Sequence, residues 1–241
     1  MKDSKRLYFF NFLIILSTFF SYIFGILIRN KFLLPILNIS FSYPFMIYLI
    51  SRGKRREALK SMLIWALSLI IFGTALFSFF PEKAECTVIK GKEYRDEMFE
   101  WIRTGVGRES NPKEFIPQHL LHITIFIILS LISSSFLSIL MGSVMVNYMN
   151  FYVSQLILHS KNKIIPILLG WHFWSLIRVL SFVILGVLLS EPLLCFIKRK
   201  KLEMGKEKAL ILVSIAGLIL DIILKILFAP LTGNIFRKLI F

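Results

Sequence analysis

Long, uninterrupted runs of apolar residues constrain this chain more than any other feature of its sequence. The runs lie at residues 7–28, 32–50, 61–80, 120–158, 165–197 and 209–228. Most of them reach the ~20 residues that a helix needs to cross a bilayer. With 56% hydrophobic and only 18% charged residues, a chain of 241 residues could not bury them all in a soluble domain. The sequence therefore predicts an all-α, polytopic transmembrane helix bundle that forms one integral membrane domain over residues 1–241.

The number of spans depends on block 120–158, which is long enough for one tilted helix or for two short ones. Two basic segments, Arg52–Arg56 and Lys198–Lys201, are typical of cytoplasmic loops. If both face the same side, block 120–158 must cross twice, with a break in the serine-rich stretch 133–142. This reading gives seven spans, with the N-terminus inside and the C-terminus outside. The alternative has six spans and places the second basic segment outside.

The charge distribution indicates a membrane partner. Segment 81–119 contains eight acidic and seven basic residues, so the net charge of +15 comes entirely from the rest of the chain. We therefore expect basic cytoplasmic loops against anionic lipid headgroups, and no nucleic-acid partner. The expected location is the cell (inner or plasma) membrane, with a cytoplasmic N-terminus. Homo-oligomers and membrane-complex partners are compatible with this reading.

The long polar loop 81–119 is predicted to be folded and extracytoplasmic. Glu93, Glu97 and Glu100 recur at helical spacing, which predicts a short amphipathic helix, and Gly105 is a suitable stop. Asn111, followed by proline, predicts the N-cap of the next helix. The aromatic residues of this loop are expected at the membrane surface.

Polar residues inside the apolar blocks are the first candidates for function, because a charge at the centre of a spanning helix costs roughly 2.5–3.5 kcal/mol. The charged candidates are Arg178, Asp221 and Lys225, and Asn147 and Asn150 add a neutral polar edge. Asp221 has two candidate partners, Lys225 on its own helix and Arg178 across the bundle. Alternatively, the charges line a pathway. The sequence favours structural pairing over the pathway.

The histidines suggest a second kind of site. His119 and His122 share one helix face near the end of a predicted span, and Glu97 or Glu100 of the acidic helix could complete a ligand set for zinc or a similar divalent metal. The spacing does not match a known metalloprotease motif. Apart from this metal, no cofactor is expected.

Two functional hypotheses follow. The favoured one is a permease-like or channel-like bundle, or a subunit of a membrane complex, with the intramembrane polar residues facing its interior. The alternative is a membrane-embedded, metal-dependent hydrolase with an outward-facing His/Glu site. The first requires only features that the sequence shows directly, so a non-enzymatic role is favoured.

Overall fold

Seven stretches of helix in the chain are long and apolar enough to cross a membrane. The computed structural model describes residues 2–199 and 208–241, and within these ranges the chain forms helices and no strand. The seven stretches are Arg6–Ile28, Leu33–Ser51, Arg55–Phe79, Pro112–Ser133, Phe136–His159, Ile164–Ile197 and Lys208–Ile240. The prediction of an all-α, multi-pass bundle is confirmed, and block 120–158 supplies two of the seven stretches.

The helices of the described residues are, in chain order, α1 (Lys2–Ile28), α2 (Leu33–Ile39), α3 (Ser42–Ser51), α4 (Arg55–Phe79), α5 (Pro81–Thr87), α6 (Gly91–Thr104), α7 (Pro112–Ser133), α8 (Phe136–His159), α9 (Ile164–Leu169), α10 (Phe173–Leu189), α11 (Glu191–Ile197) and α12 (Lys208–Ile240). A 3₁₀ turn at Arg108–Ser110 lies between α6 and α7. The closest helix pairings are α10 with α12, and α4 with both α8 and α1.

The break between α7 and α8 falls in the serine-rich stretch, as the sequence predicts. Ser134 and Ser135 have φ angles of 48° and 67°, so the chain reverses through two left-handed residues. The hydroxyl of Ser135 donates to the Gly186 carbonyl at 2.6 Å, and that of Ser130 donates to the Ser138 hydroxyl at 2.7 Å. These bonds satisfy polar groups that a membrane-embedded turn would otherwise leave unpaired.

The helix ends form two groups, here called the loop end and the basic end. At the loop end, Arg237 of α12 donates through Nε to the Ile102 carbonyl of α6 at 2.7 Å. At the basic end, Arg55 of α4 pairs with Glu191 of α11, its Nε 2.6 Å from the carboxylate. α11 therefore lies at the same end of the bundle as the loop before α4. The predicted basic residues 200, 201 and 206 lie outside the described residues.

The predicted helix end and helix cap within the long loop are confirmed, but the environment of its aromatic residues is not the predicted one. Gly105 ends α6 in the left-handed conformation with φ 76°, and Asn111 caps α7 by accepting from the Lys113 amide at 3.2 Å. Trp101 and Phe115 are each only 2% exposed. They are packed into the bundle rather than at the membrane surface, because α6 folds against α8 and α12.

Candidate functional site

A cluster of buried charges lies where α7, α10 and α12 meet. Asp221 is fully buried and accepts two hydrogen bonds from Arg178, 2.8 Å from Nε and 3.0 Å from Nη2. The ring Nε2 of His119 lies 3.0 Å from the same carboxylate. This two-point guanidinium–carboxylate contact is the strongest ion-pair geometry available to protein side chains. Of the pairings that the sequence left open, the structure has the one across the bundle.

Lys225 does not pair with Asp221 on its own helix, and it does not reach an aqueous interface. Its ammonium lies 2.9 Å from Glu109 of the 3₁₀ turn and 4.4 Å from the centre of the Phe115 ring. Burial alone would raise the pKa of Glu109, but the charges of Lys225 and Arg178 outweigh burial and hold this pKa below its ordinary value. The loop therefore inserts a carboxylate into the bundle to meet a buried ammonium.

A cavity of about 130 Å³ lies beside these charges, enclosed by α4, α6, α7, α8, α10 and α12. Its α10 wall runs from Ser175 to Val183, which corresponds to about 12 Å at the helical rise of 1.5 Å per residue. Arg178, Lys225 and Glu109 all contribute to its lining, whereas Asp221 lies behind Arg178. The charged cluster therefore borders a hollow space.

The lining changes from polar to apolar along the bundle. Toward the loop end it includes Tyr94, Gln118, His122, Tyr148, Ser175 and Arg178. Toward the basic end it includes Met62, Phe126, Ile139, Val146 and Val183, whereas the apolar residues Leu69, Met149 and Trp171 lie near the level of the polar residues. Burial raises the pKa of Tyr94 well above its ordinary value, so its phenol remains a neutral hydrogen-bond donor.

Several donors in the polar half make no hydrogen bond to another described residue. Asp221 occupies only Nε and Nη2 of Arg178, which leaves Nη1 without an acceptor in the part of the chain that the structure describes. The side chains of Gln118, His122, Tyr148 and Ser175 also form no hydrogen bond within the described residues. The cavity is thus bordered by polar groups with capacity to bind something else.

Asn147 and Asn150 belong to a second, neutral polar network between α1, α2, α4 and α8. The Tyr22 hydroxyl donates to Asn147 at 2.6 Å and accepts from Asn150 at 3.1 Å. Asn38 donates to Asn147 at 3.3 Å, and Trp171 donates to Asn150 at 3.1 Å. Neither asparagine lines the cavity. Their amides connect helices to one another, as asparagines in spanning helices commonly do.

This neutral network requires close helix contact at Gly73 of α4. A Cβ on Gly73 would overlap the Asn150 amide nitrogen and would lie 2.6 Å from the Tyr22 hydroxyl. The Leu69 carbonyl, one turn before Gly73, accepts a hydrogen bond from Asn150 at 2.9 Å and lies 3.1 Å from the Tyr22 hydroxyl. The absence of a side chain at Gly73 is what lets these groups reach the α4 backbone.

The structure does not bring the candidate metal ligands together. Glu97 lies 3.5 Å from Arg108 and Glu100 lies 2.8 Å from Arg103, all on the exposed side of the loop. His119 and His122 both line the cavity, apart from these two carboxylates, and His119 also contacts Asp221. Within residues 2–199 and 208–241, no group of three or more His, Cys, Asp or Glu side chains could hold a metal ion. The metal-dependent hydrolase stays a prediction from sequence.

Sequence reasoning did not single out Glu109, Tyr148 or Ser175. A buried lysine requires a counter-charge, so Lys225 was a signal that some acidic residue must reach it. The loop offers eight acidic residues, however, and the sequence does not distinguish among them. Tyr148 and Ser175 are ordinary residues of spanning helices, and only the packing shows that they face a cavity.

Comparison with known proteins adds no functional assignment. No protein-family model, no curated protein and no solved structure matches this chain. The seven apolar helices fit a multi-pass membrane protein. Any more specific function must come from the chemistry of the cavity and of the charges beside it.

Proposed function

We propose that this chain is a permease-like membrane bundle whose cavity accepts a small solute from the loop end. The observation that carries the proposal is that Arg178, Lys225 and Glu109 border a hollow inside the spanning region. A charge placed inside a membrane is expensive, and it is typical of substrate or ion pathways. The unoccupied donors beside Arg178 are the groups that would hold the solute.

Structural pairing alone accounts less well for this arrangement. Ion pairs that serve only to hold helices together are best packed solidly, because every gap beside them forfeits contacts and stabilisation. The neutral network is closely packed where Gly73 meets Asn150 and Tyr22. The charged cluster instead has a hydrogen-bond donor without an acceptor among the described residues, Nη1 of Arg178, beside the cavity. That contrast supports a binding role for the charges.

The apolar half of the cavity fits the closed side of a carrier. Met62, Ile139 and Val183 lie toward the basic end, and an apolar constriction excludes hydrated solutes. In this proposal the structure corresponds to a state that faces the loop end. Transport requires a second state in which α4, α8 and α10 separate at the basic end.

We further propose that the basic end faces the cytoplasm of a cell bounded by this membrane. Arg52–Arg56, Lys198 and Arg199 belong to this end. Lysine and arginine are enriched in cytoplasmic loops, so this orientation places the N-terminus inside and the loop end outside. The cavity would then receive its solute from the extracytoplasmic side.

Thiol accessibility from the two sides of the membrane tests the proposal. Ser175→Cys places a thiol in the cavity wall, in a background that carries Cys86→Ala and Cys195→Ala. Right-side-out and inside-out vesicles are treated with an impermeant sulfonatoethyl methanethiosulfonate reagent. A permease that alternates between two states should expose the introduced thiol to both sides.

The matched control is Ser181→Cys, on the same helix. Ser181 is 4% exposed and lies beside Gly217 of α12, away from the cavity. We expect the Ser175→Cys variant to react at least about tenfold faster than this control in both vesicle types. Reaction in one vesicle type only would contradict transport and would indicate a one-sided binding protein. Reaction in neither would contradict the proposal altogether.

A further inference from the structure

We infer that the ligand of the cavity is an anionic amphiphile: an oxyanion headgroup, carboxylate or phosphate, on an apolar chain. This inference rests on the cavity of the proposed function and names the class of molecule that it accepts. Four properties of the cavity carry it: the polarity of its two halves, the excess of donors, the direction of the polarity gradient, and the open space beside Gly142.

The two halves of the cavity match the two parts of an amphiphile. The polar half has Arg178, Tyr148 and Ser175, whereas the other half has Phe126, Ile139 and Val183. A small hydrophilic solute would leave the apolar half in contact with water, and a hydrocarbon would leave the polar donors unpaired. Only a molecule with a polar head and an apolar chain satisfies both halves at once.

The free groups in the polar half favour an anionic head over a cationic one. Nη1 of Arg178 and the hydroxyls of Tyr148 and Ser175 are available as donors. The carboxylates nearby are already engaged, Asp221 by Arg178 and Glu109 by Lys225. A guanidinium edge is well matched to carboxylate and phosphate oxygens. A quaternary ammonium head would find no free carboxylate among these groups.

The direction of the gradient is that of a lipid in the leaflet nearest the loop end. The polar lining lies near the loop-end termini of α7 and α10, at Gln118 and Ser175, and the apolar lining extends to Ile139 in the first turn of α8 at the basic end. A lipid in that leaflet has its headgroup toward the loop end and its chain pointing toward the midplane, which is the same direction of polarity. A membrane-derived amphiphile could therefore occupy the cavity without inverting.

Gly142 of α8 makes the apolar half wide enough for a chain. Outside its own helical turn, no heavy atom lies within 4 Å of the position that a Cβ would occupy. Because Gly142 lines the cavity and a Cβ there meets open space, a larger side chain would occupy volume that a ligand chain would otherwise use. This position provides a blocking variant that leaves the charged cluster untouched.

Tryptophan quenching by brominated probes tests the inference. The full chain is placed in nanodiscs of phosphatidylcholine and titrated with three ω-bromo alkyl probes of equal chain length. Their headgroups are carboxylate, phosphate monoester and trimethylammonium. Trp65 lies in the cavity wall on α4, toward the apolar half, so a bromine at the chain end should quench it. We expect saturable quenching by an anionic probe, lost largely in Trp65→Phe but retained in Trp101→Phe.

Two variants test the two halves separately. Gly142→Leu should weaken binding by about tenfold or more with no loss of thermal stability, while Gly142→Ala should bind nearly as the natural chain does. Tyr148→Phe, which removes one free donor, should weaken the anionic probes and leave the weak binding of the trimethylammonium probe unchanged. Preference for the carboxylate indicates a fatty-acid source, preference for the phosphate indicates a phospholipid-like source, and equal binding of both supports the shared chemistry.

Three results would overturn the inference: trimethylammonium binding as tight as the anionic probes, Gly142→Leu binding unchanged, or full competition by inorganic phosphate alone. The thiol experiment is independent of these outcomes. If the introduced thiol reacts from both sides but the probes show no anion selectivity, the permease proposal stands and the amphiphile inference is rejected. If the anionic probes bind selectively but the introduced thiol reacts from one side only, the amphiphile inference stands and transport is rejected.

Discussion

Two polar regions inside the same bundle are built in opposite ways. The neutral network of Tyr22, Asn38, Asn147 and Asn150 is tightly packed at Gly73, which lets it approach the α4 backbone, and its side chains bond mainly to one another. Among its side-chain atoms, Nδ2 of Asn147 is buried without a hydrogen-bond partner in the described part of the chain. The charged cluster of Arg178, Asp221, Lys225 and Glu109 borders a cavity, and Nη1 of Arg178 has no acceptor among the described residues. Polar residues in spanning helices therefore need not indicate function by themselves. Polar atoms that face a cavity and have no hydrogen-bond partner are the more informative signal of a binding site.

The largest expected effect is from removing one member of the buried ion pair. Asp221→Leu leaves the Arg178 guanidinium buried without its carboxylate, and losing one partner of such a pair costs about 3–5 kcal/mol. We expect a loss of this size in the free energy of unfolding, measured by denaturing-detergent titration in mixed micelles. The double variant Asp221→Leu/Arg178→Met should recover most of it, because no uncompensated charge remains. Equal instability of the single and double variants would show that this is not a simple ion pair.

The next effect is steric and is located in the neutral network. Gly73→Ala forces a methyl group against Asn150 and Tyr22, and overpacking of this kind costs about 1–3 kcal/mol. Gly142→Ala on α8 is the matched control, since its methyl group meets open space and removes a flexible residue from a helix. Gly73→Ala should therefore lower the free energy of unfolding, measured in the same micelles, by more than Gly142→Ala does. Similar losses would mean that the network is no tighter than the cavity wall.

A smaller effect is expected from a single neutral hydroxyl. Tyr22→Phe removes the group that donates to Asn147 and accepts from Asn150. A neutral hydrogen bond contributes about 0.5–1.5 kcal/mol net, so the loss should stay well below that of Asp221→Leu. The same micelle titration measures it. A cost equal to that of the ion-pair variant would remove the energetic distinction between the two regions.

Acidification should weaken the contact between the loop and α12. The pKa of Glu109 is lowered in the folded chain, so its ionic contact stabilises the fold above the ordinary glutamate pKa and is lost as the pH falls through the lowered value. The groups facing Glu109 are Lys225, Arg178 and His172. We expect the difference in melting temperature between the natural chain and Glu109→Gln to narrow toward low pH. A difference independent of pH would contradict this origin of the stabilisation.

The smallest effect belongs to the exposed acidic edge of α6. Glu100 pairs with Arg103, but both side chains are more than half exposed, at 55% and 61%. Exposed pairs contribute about 0–1 kcal/mol, so Glu100→Gln should leave the melting temperature almost unchanged. Elemental analysis of the same sample tests the metal hypothesis. Stoichiometric zinc in the natural chain that is lost in this variant would favour the hydrolase alternative.

The hydrophobic pattern was sufficient for most of the architecture. Block lengths and basic segments predicted seven spans, and the serine-rich break, the Gly105 stop and the Asn111 cap all occur as predicted. These features depend on residues near each other in the chain, where helix propensity and capping chemistry apply directly. The prediction that the aromatic residues of the loop lie at the membrane surface was wrong, because their environment depends on how α6 folds onto distant helices.

The candidate site was only partly predictable. The intramembrane charges stand out in the sequence because each is costly in a membrane, and the Arg178–Asp221 pairing was one of the alternatives. The partner of Lys225 is a residue 116 positions earlier, in a loop with several equivalent acids. Asn147 and Asn150 looked equally suited to a pathway. Only the structure shows that Asn147 bonds to Tyr22 and Asn38 and that Asn150 is packed against α4 at Gly73.

By itself, the sequence determined that this chain forms a bundle of spanning helices, because apolar residues and turn signals act locally and every backbone amide in a bilayer must be satisfied within a helix. The tertiary structure decided which polar atoms form hydrogen bonds with one another and which face the cavity. That division depends on distances of a few ångströms between residues far apart in the chain, which no local pattern encodes. It is also what distinguishes the packed amide network from the cavity, and therefore what the proposed function depends on.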